Sequence, residues 1–82
     1  MSIESYIKIL TRISENAKKL ADLTETTVDI EEDGGMFTIN IRKQESGIWR
    51  CLYRITAGTS IDMDEHVKGL LIGAMLAKGI EI

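Results

Sequence analysis

Apolar residues fall at Ile3, Ile7, Leu10, Ile13, Ala17, Leu20 and Leu23, in steps of three and four that keep them on one helical stripe. Glu4–Lys8, Glu15–Lys19 and Lys18–Asp22 lie four apart on the other side, where oppositely charged neighbours support a helix. The pattern predicts a helix from Ser2 to about Leu23. The β-favouring Thr24, Thr26 and Thr27 end it.

The period then changes to two. Val28 and Ile30 alternate with Asp29 and Glu31; Phe37, Ile39 and Ile41 alternate with Thr38, Asn40 and Arg42; Trp49, Cys51, Tyr53 and Ile55 alternate with Arg50, Leu52 and Arg54. Each run predicts a strand with one buried face. Asp33-Gly34 is a two-residue hairpin signal, which sets Glu32 opposite Gly35, Ile30 opposite Phe37 and Val28 opposite Ile39. Gln44-Glu45-Ser46 followed by Gly47 suits a three-residue loop with glycine in the left-handed region. That loop sets Ile41 opposite Trp49, Ile39 opposite Cys51 and Phe37 opposite Tyr53. Both registers gather the apolar residues on one face, and Cys51 is expected there as an inert packing residue.

The final segment, SIDMDEHVKGLLIGAMLAKG from Ser60 to Gly79, predicts a second helix. Asp62 with Glu65 three residues on has the form of a capping box. Asp62, Asp64 and Glu65 also stand where the helix dipole favours negative charge. Lys78 in the last turn and Gly79 beyond it suit a C-terminal cap. The expected fold is therefore α+β: a two-layer sandwich in the order αβββα, with both helices on one face of a three-stranded antiparallel meander. Residues 1–82 form a single domain in this reading, without linkers or repeats.

Composition changes the picture mainly by exclusion. With 44% hydrophobic and 28% charged residues, the chain reads as globular. A formal net charge of -3 argues against a dedicated nucleic-acid binder. Cys51 is the only cysteine, so no intramolecular disulfide is available. The N-terminal MSIESYIKIL lacks the features of a signal peptide. The longest uncharged run, Gly69 to Ala77, falls well short of the roughly 20 residues that span a bilayer. A reducing, cytoplasmic setting is expected.

Three chemistries are conceivable on these elements. Asp62, Asp64, Glu65 and His66 invite a metal, but helix capping accounts for the acids, and neither metal nor cofactor is expected. With one Cys, one His and no nucleophile motif, the chain is not expected to be an enzyme. The remaining catalytic alternative is a small hydrolase or isomerase that uses His66 with Asp62 or Asp64. The order of elements is similar to that of the double-stranded RNA-binding domain over nearly the whole chain. That family presents a lysine-rich start to its second helix, where this sequence has Asp62, Asp64 and Glu65. Acids there repel phosphate, so RNA binding of that kind is not expected.

Two surfaces remain. The outward sheet face is expected to carry acids on the first strand and arginines on the third. Met36, Arg42, Arg50, Leu52 and Arg54 are its candidate partner-binding residues, of types that suit interface cores. The second helix is apolar around most of its circumference, wider than one sheet face needs. Its Gly69, Gly73 and Ala77 form a small-residue groove. Gly69, Leu70, Gly73, Leu76, Ala77 and Ile80 are the candidates for self-association into a homodimer.

These features favour a non-catalytic module that binds another protein or protein complex, as a stoichiometric inhibitor or adaptor. Small phage-encoded inhibitors of bacterial defence, including anti-CRISPR proteins, are similar in scale and character. The alternative is nucleic-acid or nucleotide binding through Arg42, Lys43, Arg50 and Arg54, with Trp49 or Tyr53 stacking where they face outward.

Overall fold

A computed structural model of the chain describes residues 2–80. It has five elements: α1 (Ile3–Thr24), β1 (Thr27–Asp33), β2 (Met36–Glu45), β3 (Ile48–Ala57) and α2 (Ser60–Ala77). The strands form one antiparallel sheet in the order β1-β2-β3, and both helices lie on the same face of it. This is the expected αβββα sandwich.

Local chemistry sets the ends of the helices. The Ser2 hydroxyl accepts the Ser5 N–H at 3.1 Å and so caps α1. At the other end Glu25 turns left-handed, and the Thr26 N–H reaches the Ala21 carbonyl. α2 is capped by Thr59, whose hydroxyl accepts the Asp62 N–H at 3.1 Å. The cap thus lies three residues earlier than expected, and Asp62 sits inside the first turn. Past the helix end, the Ile80 N–H bonds to the Met75 carbonyl and the Gly79 N–H to that of Leu76, with Gly79 left-handed. That pair of bonds is a Schellman cap, for which glycine carries no Cβ penalty.

The turns revise the strand registers. The first hairpin turns on Gly34-Gly35 rather than Asp33-Gly34, with positive φ at both positions. Glycine takes that conformation without strain, whereas Asp33 would not. Val28 therefore pairs with Ile41 and Ile30 with Ile39. The expected pairs slip by two residues, which leaves every side chain on its original face.

The second turn is also two residues, Ser46-Gly47, again with positive φ at both. Compared with the expected loop, β3 is displaced by an odd number of residues where it leaves the turn. Glu45 pairs with Ile48, Gln44 with Trp49, Lys43 with Arg50 and Arg42 with Cys51. A bulge follows: Ile41 pairs with Tyr53, so Leu52 is the extra residue. Beyond it Tyr53, Ile55 and Ala57 face the helices, as expected for the first two. Before it the parity is reversed, so Trp49 and Cys51 face away from the core. Trp49 is 52% exposed and Cys51 is exposed. The expectation of an inward Trp49 and a buried Cys51 is thus corrected, because the bulge reverses the pleat between them and Tyr53.

The core consists of Ile13, Ala17 and Leu20 from α1, Phe37, Ile39 and Ile41 from β2, and Met63, Val67 and Leu71 from α2. The edge strands contribute only half-buried residues, Val28 and Ile30 on one side and Tyr53, Ile55 and Ala57 on the other. The α1 stripe does not bury along its full length. Ile3 and Ile7 are 79% and 55% exposed, because the first turns of α1 extend past the core.

Three strands of alternating direction between two helices make α1 and α2 run the same way. An ion pair locks them side by side. Arg12 Nε donates to both Asp64 carboxylate oxygens at 3.0 Å, and Nη2 donates to Oδ2 at 2.6 Å. Asp64 is buried, while the Arg12 side chain is half exposed. Asp64 is therefore the α2 end of an interhelical bridge, a role its place in the acidic cluster did not announce. The hydrogen bonds and charge of Asp64 raise the Arg12 pKa above its ordinary value. A raised basic group contributes stability that is fully present below its unfolded pKa and is lost as pH rises through its folded pKa, so the guanidinium end of the bridge does not titrate near neutral pH.

The β3 register and the interhelical bridge can each be tested. In the native chain Cys51 should react with a disulfide reagent within about tenfold of the rate of a free thiol. Strong protection would place it back on the inner face. Arg12→Met should lower the Tm by several degrees, because it leaves a buried carboxylate without a partner. Adding Asp64→Leu should recover most of that loss, whereas simple addition of the two losses in a double-mutant cycle would mean that the residues are not coupled.

Candidate protein-binding surface

The outer sheet face is built from every second residue of the strands. Across the sheet the rows are Gln44 with Trp49; Thr27, Arg42 and Cys51; Asp29, Asn40 and Arg54; Glu31, Thr38 and Thr56; and Asp33 with Met36. Leu52 is added at the bulge and is 50% exposed. The Thr38 and Thr56 hydroxyls share a 3.1 Å hydrogen bond across their strands.

Arg42 organises the middle of this face. Its Nη2 donates to Asp29 Oδ2, and its guanidinium lies 5.4 Å from the centre of the Trp49 ring. Its Nε is buried and has no hydrogen-bond partner among the described residues. Held on both sides, the arginine is fixed before any partner arrives, which reduces the entropy lost on binding. Arg54, in the next row, forms no ion pair among the described residues.

The five expected binding residues do not all meet. Arg42, Leu52 and Arg54 occupy adjacent rows. Met36 is outward and 48% exposed, but it stands at the far end of the sheet, beside Asp33. Arg50 is on the opposite face. It pairs with Lys43, two residues from buried Ile41, and lies 3.3 Å from Glu45 on that side. The parity reversal before the bulge removes it from the outer face. The same reversal brings in Trp49 and Cys51, which strand alternation had assigned to the core. Ser46-Gly47 was a readable sign of a two-residue turn; the bulge at Leu52 had no comparable sign.

On α2, Gly69, Gly73, Leu76 and Ala77 are exposed, as is Ile80 beyond its cap, and Leu76 reaches 62% exposure. Leu70 is half-buried against the core instead. A Cβ at Gly69 or Gly73 would meet nothing within 4 Å among the described residues. The small-residue groove thus seats neither α1 nor the sheet within the chain.

His66 is placed by the inner face of β3. Its Nε2 shares a 2.5 Å hydrogen bond with the Tyr53 hydroxyl, and the two rings stack with centroids 5.8 Å apart. Asp64 is committed to Arg12. Among the described residues no group of three or more His, Cys, Asp or Glu side chains is gathered closely enough to hold a metal ion. No helix of the described residues is long and apolar enough to cross a membrane.

Comparison with protein families, curated proteins and solved structures found no match to this chain.

The open glycines generate a stability prediction. Gly73→Ala should stabilise the chain by about 0.5–1 kcal/mol, since it removes unfolded-state freedom and meets no neighbour. Urea unfolding measures this directly. A loss of stability would show that another surface closely covers the groove in solution.

Proposed function

We propose that the chain is a non-catalytic protein-binding module, an inhibitor or adaptor that engages its partner through the outer sheet face. The observation that carries this reading is the half-exposed pair Trp49 and Leu52, set around a pre-held Arg42 on a sheet whose other face is anchored by two helices. Tryptophan and arginine are the residue types most enriched among interface hot spots. Arg54 adds a cation without an ion-pair partner among the described residues, suited to a carboxylate on the partner. The partner is then a protein surface that offers an apolar pocket for Trp49 beside an acidic group.

A second reading, single-stranded nucleic acid or a nucleotide, is favoured by one observation. Trp49 faces outward with Arg42 beside it, the elements of a base-stacking platform. Against it, Asp29, Glu31 and Asp33 share that face, and their charge opposes a phosphate backbone.

Trp49→Ala combined with Leu52→Glu should reduce capture of the partner from the native host by about 30-fold or more, the effect of losing a hot spot of about 2 kcal/mol. The far-UV circular dichroism should not change. Arg50→Glu, on the opposite face, should leave capture intact. Full capture by the double variant would remove the outer face from consideration. Binding to single-stranded DNA that weakens steeply with salt would support the second reading instead.

A further inference from the structure

Strand β1 borders the sheet, and among the described residues nothing pairs with its outer edge. Along that edge, between β1 and α1, runs an open groove of about 420 Å³, within the roughly 300–1,000 Å³ typical of binding clefts. Its apolar floor includes Ala17 and Ala21 of α1 with Val28 and Ile30 of β1, and Lys18 stands at its helix side. The pleat places Val28 and Ile30 on the groove side of β1 and Asp29, Glu31 and Asp33 on the other. Glu32, also on the groove side, is turned to the hairpin, where its carboxylate accepts the Gly35 N–H.

We propose that β1 receives an extended segment of another protein as a fourth strand, one in which aliphatic residues alternate with lysine or arginine. An added strand continues the pleat, so its side chains alternate between the same two environments. Those beside Val28 and Ile30 enter a groove floored by alanines, which leaves room for aliphatic groups. Those beside Asp29, Glu31 and Asp33 meet a row of carboxylates, only one of which has a basic partner among the described residues, Asp29 with Arg42. Lys18 disfavours a cation on the groove side and so reinforces the alternation.

The charges also choose the occupant. A second copy paired through its own β1 would bring carboxylates against carboxylates, an arrangement that costs stability across neighbouring strands. The other sheet edge is a poorer receiver, because β3 is bulged at Leu52 and carries Arg50 and Arg54. Bulges and charges are the ordinary devices that block strand addition. On β1 the ladder with β2 is unbroken from Thr27 to Asp33. The added strand would lie along the β1 edge rather than over Trp49 and Leu52, sharing only the β1 carboxylates with the outer face, and the inference stands whether or not the outer face binds a partner.

The test uses the full chain and three fluorescein-labelled octapeptides: alternating Lys-Val, alternating Glu-Val, and Lys-Val with alternate backbone nitrogens methylated. Fluorescence anisotropy should show Lys-Val binding about tenfold or more tighter than either of the others. Glu31→Lys with Asp33→Lys, both at exposed positions, should weaken it by a similar factor. Amide exchange should slow along β1 when Lys-Val is bound. Equal binding of the methylated peptide would reduce the effect to charge alone and overturn strand addition. So would the absence of binding at about 1 mM Lys-Val, or protection that appears on β3 instead. Salt-sensitive chains of copies in sedimentation would overturn it as well, by showing that β3 of another copy fills the edge.

Discussion

The pleat of β3 changes parity at Leu52, and the composition of both sheet faces depends on that change. The two-residue Ser46-Gly47 turn starts β3 in a phase that faces Trp49 and Cys51 outward. Had the strand continued in that phase, Tyr53 and Ile55 would face outward too, and the helices would pack against Leu52, Arg54 and Thr56. One extra residue avoids this. It returns Tyr53, Ile55 and Ala57 to the core side while the sheet end near the turn keeps its aromatic and thiol groups on the surface. A bulge is thus the device by which one strand serves the core with one half and the solvent face with the other.

Much of the fold is legible in the residues, and the reason is periodicity. Steps of three and four in α1 and the alternation within β2 name the core residues Ile13, Ala17, Leu20, Phe37, Ile39 and Ile41 directly. Register is less legible, because Gly34-Gly35 and Asp33-Gly34 are both acceptable turns, and the choice rests on strain at a single residue. The two turns differ in pairing by two residues, so either keeps every side chain on the same face. On β3 the difference is odd, so Trp49, Cys51 and Arg50 lie on the faces opposite to those that alternation predicts. Alternation read through a bulge fails in this way, since a bulge adds a residue without altering the local pattern of apolar and polar groups.

Long-range electrostatics were not legible at all. Asp64 sits in a run of acids that helix capping already explains, and Arg12 lies among the charges of an amphipathic helix. Only the parallel course of the two helices brings them together. Thr59 makes the cap in place of Asp62, and Asp64, in the first turns of α2, faces α1 instead. The bridge then adds a directional element to an interface otherwise made of aliphatic groups. Replacing such a pair with apolar side chains can preserve stability, but three hydrogen bonds from one guanidinium restrict the axial shift between helices more narrowly than alanine and leucine contacts would.

That restriction matters for the groove beside β1. α1 touches the sheet through Ile13, Ala17 and Leu20, and the small Ala17 and Ala21 are what keep the groove open on its helix side. A slide of α1 by one turn would leave one alanine in the other's place and bring Ile13 or Glu25 into the second position, narrowing the groove. Arg12 is anchored to buried Asp64, and α1 continues directly through the Glu25 turn into β1. The helix is therefore held from both sides of its central segment, by α2 and by the strand that follows. The geometry that leaves β1 accessible is a consequence of the core packing and the interhelical bridge, not of the groove residues alone.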